Sequence, residues 1–284
     1  MILAYWYAET VNFGDLLTPY FIRNWTGQDP INLLHVHRGL NPAMHDFTKR
    51  ATAISFAQRL RVTHKPEYVM VGSILGWKPW AEDVQVIWGA GFMSENVRLN
   101  RRPRELRAVR GERTLENLPA EWRKDVKALG DPGVLIGDMV ETEPRVPGRI
   151  GFVPHYHHKN RALVQQAEVH PDIYLIDIQQ GVESFIKQIS TCEVVVASAM
   201  HAIISADGLG IPTRWIRIED AELPAGGIFK FHDYFSIAGR PQNLPDPVAT
   251  IDDVKHSAAK AIPRDVSKMK ADLLGAAPFR ERVR

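Results

Sequence analysis

Cysteine is almost missing from this 284-residue chain: Cys192 is alone. That excludes an intramolecular disulfide and any zinc site built from thiolates. Placed just ahead of a valine run, Cys192 reads as a small buried residue. No excess of one charge exists either. Thirty-five Lys and Arg face 33 Asp and Glu, a formal net charge of +2, so no global basic field points to nucleic acid or a membrane surface. No apolar run is long enough to span a bilayer, and the start of the chain, Met1 to Tyr7, lacks the basic flank of a secretion signal. A cytoplasmic protein is expected. The basic tail, Phe279 to Arg284, reads as a solvated end. Also missing is the full glycine pattern of a dinucleotide fold. Gly72-Ser73 and Gly89-Ala90-Gly91 follow apolar runs, but neither the spacing nor an acidic partner supports NAD. The cluster His155-Tyr156-His157-His158 has no carboxylate nearby to complete a ligand set. No metal and no cofactor are expected.

What is present is an ordinary globular composition, 45% hydrophobic and 24% charged, and enough chain for two modest α/β domains. Short β-branched or aromatic runs alternate with helical segments. Strands are expected at 2–7, 68–73, 84–91 and 106–110, with a helix opening at Asp15 and an amphipathic one after Arg110. Glycine, proline and charge accumulate from Gly137 to Gly148, the best linker in the chain. The alternation then resumes, with strands at 149–154, 173–177, 194–196 and 211–216. Helices are expected near 162–168, 182–189, 252–261 and 264–274. The fold class expected is α/β: two doubly wound, Rossmann-like domains facing each other across a cleft, at 1–140 and 149–284. The closing helices are placed to pack back on the first.

The junction around His201 is the richest in chemistry. The continuous run Val194-Val195-Val196 suits a strand covered on both faces, and Ala202-Ile203-Ile204-Ser205-Ala206 suits a tightly packed helix. In an open parallel sheet ligands bind at the carboxyl ends of strands, where helix N-termini offer free N–H groups to anions. Ser198 and His201 therefore stand where anionic chemistry belongs, although a histidine beside an apolar run also serves as a hydrogen-bonded core residue. Asn12-Phe13-Gly14-Asp15 either approaches a ligand closely or caps a helix. Arg110 is an anion clamp or a surface ion pair with Glu112 or Glu116. Lys230, amid Phe229, Phe231, His232 and Tyr234, is a fixed cation or a solvated loop residue. His155, directly after Pro154, is placed to point into the cleft.

In order along the chain, Asn12-Phe13-Gly14-Asp15, Gly72-Ser73-Ile74-Leu75, Trp88-Gly89-Ala90-Gly91-Phe92 and Val109-Arg110-Gly111-Glu112-Arg113-Thr114 are followed by Gly130-Asp131-Pro132 and Pro154-His155-Tyr156. Ser198-Ala199-Met200-His201-Ala202, Gly210-Ile211-Pro212 and Phe229-Lys230-Phe231 complete the set. This ordered set resembles the polysaccharide pyruvyltransferase family, in the manner of bacterial exopolysaccharide ketal pyruvyltransferases. The resemblance implies a GT-B-like fold, phosphoenolpyruvate as co-substrate and a pair of sugar hydroxyls as acceptor, on an oligosaccharide or a lipid-linked glycan that would bring the enzyme to the membrane periphery. It implies His201 as the catalytic residue and Arg110, Lys230, Ser198, Met200 and Ala202 around the donor. Asn12, Gly14, Asp15, Gly72, Ser73 and His155 would serve the acceptor or support the site, with the acceptor on the N-terminal side and the donor on the C-terminal side. Where many members carry an arginine shortly before the histidine, this chain has Ala199-Met200, so donor binding would lean on Arg110, Lys230 and backbone amides. Two other classes remain open. One is a nucleotide-sugar glycosyltransferase or epimerase of the same architecture, and the other a non-catalytic carbohydrate-binding or assembly protein.

Overall fold

The computed structural model of the chain describes residues 2–32, 65–78, 81–222, 226–239 and 242–279. The basic tail from residue 280 onward lies outside them. Strands β1 (Ile2–Ala4), β2 (Pro30–Ile31), β3 (Glu67–Val69), β4 (Gln85–Trp88), β5 (Glu105–Val109) and β6 (Ala128–Leu129) form one sheet in the order β2-β1-β3-β4-β5-β6. Strands β7 (Ile150–Val153), β8 (Ile173–Leu175), β9 (Val194–Ala197), β10 (Thr213–Ile218) and β11 (Asp246–Val248) form a second, ordered β11-β10-β9-β7-β8. Every pairing within both sheets is parallel. Mixed α/β structure with two parallel sheets is thus observed, and each sheet has the doubly wound order in which the first strand lies between the second and the third. Chain direction across each sheet reverses at β1/β3 and at β7/β9, and such switch points are where open α/β sheets bind ligands.

The helices are α1 (Phe13–Thr26), α2 (Glu112–Glu116), α3 (Ala120–Arg123), α4 (Ala162–Glu168), α5 (Val182–Ser190), α6 (Met200–Gly208), α7 (Phe229–Phe235), α8 (Ile251–Ala259) and α9 (Ser267–Gly275). Their ends follow local chemistry. Asn12 caps α1 by accepting from Gly14 N–H, and Gly27, at φ 66°, closes it. Thr250 and Asp253 form a capping box on α8. A 3₁₀ helix over Pro132–Asp138 packs against α6, and the small residues of α6 are what this contact needs: a Cβ on Gly208 would lie 2.2 Å from the Val134 carbonyl oxygen. Among the described residues no helix is long and apolar enough to cross a membrane.

Several expected boundaries shift. The strands expected to run to Tyr7, Ser73 and Gly91 end at Ala4, Val69 and Trp88. Gly72 (φ 108°) and Gly89 (φ 92°) turn the chain away from the sheet there, a backbone state that side chains resist. The segment around Lys230 is a helix rather than a loop, since Phe231, Tyr234 and Phe235 bury together at helical spacing. Residues 141–148 run exposed, with no regular structure. One apolar cluster reaches across both sheets: Phe13 stacks on Phe185 with centroids 4.1 Å apart. The last helix, α9, lies on β6, and Trp88 Nε1 donates to the Leu273 carbonyl at 2.9 Å.

Candidate active site

A pocket of about 270 Å³ opens where the carboxyl ends of four strands meet. Most of its walls come from the segments after β1 (Tyr7, Asn12, Asp15), β3 (Gly72, Ser73, Trp77), β7 (His155, Tyr156, His157) and β9 (Ala199, Met200, His201), with Met93 after β4, Ile178 after β8 and Lys230 from α7 completing them. Those four strands are the pairs flanking the two switch points, one pair per sheet. The volume lies near the lower end for small-ligand sites.

His201 stands in the first turn of α6 with its side chain 12% exposed. Its ring presses on the start of α1: a Cβ added to Gly14 would fall 1.9 Å from His201 Nδ1. Gly14 is therefore required by the approach of the imidazole rather than by a turn. On the other side of the ring, Nε2 faces Asp131 Oδ2 at 3.6 Å. Among the described residues both atoms are buried and otherwise without a hydrogen-bond partner, so an N–H on Nε2 has one acceptor to turn to. Asp131 is itself held in place, with Oδ1 accepting from Gly133 N–H at 2.9 Å as the cap of the 3₁₀ helix. In the sequence Asp131 stands in Gly130-Asp131-Pro132 with no chemistry of its own implied. The signal was an aspartate between a short strand and a proline, which reads as an ordinary helix start.

Asp15 and Lys230 supply the other titratable groups. Asp15 belongs to the first turn of α1 and lines the pocket, only partly open to solvent. Burial pushes its pKa up to about 7, opposed by the charges of His201 and Lys230 and by a hydrogen bond from Asn12. A carboxyl poised there exchanges protons near neutrality. Lys230 is 9% exposed and makes no hydrogen bond or ion pair among the described residues. Burial, and then the charge of Arg110, pull its pKa down to about 8, against the attraction of Asp15. The Phe231 ring, 5.8 Å from Nζ at its centre, is a weak substitute for a counter-ion, and a buried ammonium without one is costly unless something anionic meets it.

Other expected residues sit elsewhere. Arg110 is fully buried and does not line the pocket. Its Nε donates to Asp233 Oδ2 at 2.8 Å, one terminal nitrogen to Ser73 Oγ at 2.5 Å and the other to the Phe92 carbonyl at 2.8 Å. Neither a free anion clamp nor a surface pair with Glu112 or Glu116, it ties α2 and β5 to α7 from behind the wall that Ser73 presents. Asp233 completes the tie by accepting from Thr114 N–H and Oγ1. Ser198 also lies behind the wall, accepting from His155 N–H at 2.9 Å. Ala202 is wholly buried in the core, so its part is packing rather than donor contact. Asn12, Gly72, Ser73, Met200 and His155 do reach the pocket. His155 Nδ1 accepts from His157 N–H, and burial, helped by Lys230, lowers its pKa to about 3. A ring so hard to protonate is a neutral hydrogen-bond donor through Nε2, not a base. In the same cluster, His158 is tied to Ser198 and to the Glu222 carbonyl.

A family model described as polysaccharide pyruvyl transferase matches residues 69–220, more than half of the chain. The match includes Gly72, Asp131, His155 and His201, whereas Asn12, Asp15 and Lys230 lie outside it. An uncharacterized protein of Acanthamoeba polyphaga mimivirus is 34% identical over 184 residues, 63% of this chain and 62% of that protein. The matched region thus spans less than two thirds of that relative's length.

Proposed function

Because the chain belongs to the polysaccharide pyruvyl transferase family, we propose that it moves a pyruvyl group from phosphoenolpyruvate to two hydroxyls of one sugar in an exopolysaccharide or its lipid-linked precursor, forming a ketal and releasing phosphate. The observation that carries the choice of donor is Lys230: a buried cation with no carboxylate paired to it among the described residues, its Nζ 5.8 Å from the centre of the Phe231 ring, in the pocket that also holds His201 and Asp15. An anionic ligand repays the cost of burying it. The first-turn amides of α6, which no side chain caps, add favourable dipoles beside His201.

His201, as imidazolium against Asp131, gives a proton to the methylene carbon of phosphoenolpyruvate while a sugar oxygen bonds to C2. Asp15 takes the proton of that hydroxyl. The C2–O bond to phosphate then breaks, the second hydroxyl adds to C2, and its proton leaves with the phosphate. Two hydroxyl protons are lost, one to the new methyl group through the side chains and one to hydrogen phosphate. Lys230 meets the donor's charge, and His155 offers a neutral N–H. Arg110 acts through Ser73 and Asp233 rather than as a ligand. The proposal includes a GT-B-like arrangement with the acceptor on the side of residues 1–140 and the donor on that of 149–284. Two sheets of the same strand order meeting at one pocket support it.

Phosphate release tests the proposal. The purified protein should liberate inorganic phosphate from phosphoenolpyruvate only with a glycan acceptor present. His201→Ala should cut that rate by about 10²–10⁴-fold, the usual worth of a general acid. Turnover of a nucleotide-sugar, with none of phosphoenolpyruvate, would reject it.

A further inference from the structure

At the mouth of the pocket stands a tryptophan that the core does not use. Trp77 is 37% exposed, the one aromatic among the exposed large hydrophobic residues described. It lines the pocket with Tyr7, whose ring meets it edge-on at 5.9 Å and 88°. The sequence offers no periodicity to single it out, since it lies in an irregular segment after β3. Exposure alone would mean little, but the backbone on either side of Trp77 is fixed. Gly76 has φ 82°, and a Cβ there would lie 2.7 Å from Val97 Cγ1 and 2.9 Å from the Arg98 carbonyl oxygen. Lys78 is buried, with Nζ 2.5 Å from Glu67 Oε1 and 5.0 Å from the centre of the Tyr5 ring. A buried ion pair and a close glycine contact therefore hold an indole at the rim, where it gains little from burial.

We propose that the Trp77 indole is the platform on which the acceptor's hexopyranose ring stacks, with Tyr7, perpendicular to it, as a side wall. The proposal rests on the pyruvyl-transfer function above and assigns its acceptor subsite. A pyranose has faces of C–H bonds with slight positive charge and an edge of hydroxyls. The faces pack on the electron-rich side of an aromatic ring, and Trp offers the largest such surface at little entropic cost. Asn12 and Asp15 line the same pocket and offer polar groups to the hydroxyls of a ring laid on Trp77. Tyr156, packed on His155 at 4.5 Å, adds a further aromatic ring to the lining. The platform selects for a saccharide, where a pocket with Lys230 alone would accept many small anions.

Two readouts on the full-length protein separate this proposal from the function it rests on. In saturation-transfer NMR, methyl β-glucopyranoside or methyl β-galactopyranoside should receive magnetisation from the wild type. At least half of that transfer should vanish in Trp77→Ala, and Trp77→Phe should retain most of it. No transfer to either glycoside in the wild type, or equal transfer in Trp77→Ala, overturns the platform whatever the enzyme does. In the phosphate-release assay, Trp77→Ala should raise the acceptor KM about tenfold or more and leave the phosphoenolpyruvate KM within twofold. An unchanged acceptor KM overturns the platform and leaves pyruvyl transfer standing. Saccharide binding that depends on Trp77, without any phosphate release, supports the platform and counts against pyruvyl transfer alone. Trp77 is exposed, so Trp77→Ala should keep the wild-type Tm.

Discussion

At the scale of single residues, the site is held together by charges that the fold would be more stable without. Lys230 keeps its ordinary value of 10.5 when unfolded and falls to about 8 when folded. The folded protein therefore binds fewer protons between those values. Stability should rise with pH across that window, and at pH 7 the buried ammonium is a net cost. Lys230→Met should gain about 1–3 kcal/mol in urea unfolding at pH 7. In calorimetry it should weaken phosphoenolpyruvate binding about 10–150-fold, the worth of a charge-assisted hydrogen bond. Unchanged donor affinity would remove Lys230 from the site. Asp15 follows the opposite rule for an acid, rising from 3.8 to about 7 on folding. The unfolded chain gives up that proton more readily, so its cost grows as pH climbs from about 4 to 7 and is complete above. Asp15→Asn should consequently raise Tm more at pH 8 than at pH 4.5, and should slow turnover at both. Equal Tm gains at the two pH values would show that the carboxyl titrates normally.

At the scale of elements, the start of α1 and the start of α6 define each other. Gly14 leaves room for the His201 ring, and Gly14→Ala should displace it. The helix tolerates alanine, so the variant should remain folded by circular dichroism and lose turnover about as severely as His201→Ala. Near wild-type turnover would mean that the ring moves aside freely. Much of this was legible in advance. The valine run of β9, the small-residue helix after it and the span of α4 follow directly from residue pattern. So does the acidic first turn of α1. What the pattern could not reveal was pairing at a distance. Arg110 reads as a strand-end cation free to bind an anion, but its partner Asp233 lies 123 residues away, and only the packing of α7 on α2 brings the two together. Asp131 was hidden for the same reason. Its partner, His201, belongs to the other sheet's connections, and nothing local distinguishes that aspartate from a cap. The helix at Lys230 was obscured by Gly226-Gly227 just before it and by its dense aromatics, which fit strand, loop or helix equally until a core is present to choose.

At the scale of the molecule, two sheets with the same strand order set their switch points against one pocket, and each sheet contributes what the other lacks. The first brings Asn12, Asp15 and the Trp77 rim, and the second brings His201 and His155, with Lys230 added from α7. The shared apolar cluster and the Arg110–Asp233 pair keep these groups in register. Preorganisation of this kind is what the proposed acid, base and cation require to act on one substrate without rearranging. The most direct test is to run the reaction in D₂O with phosphoenolpyruvate and a glycan acceptor, and to examine the product by NMR. Proton delivery to the methylene carbon by an exchangeable acid predicts a ketal on the sugar whose new methyl group is CH₂D, with equimolar phosphate released. A glycan recovered without a ketal, or a ketal methyl free of deuterium, would contradict it.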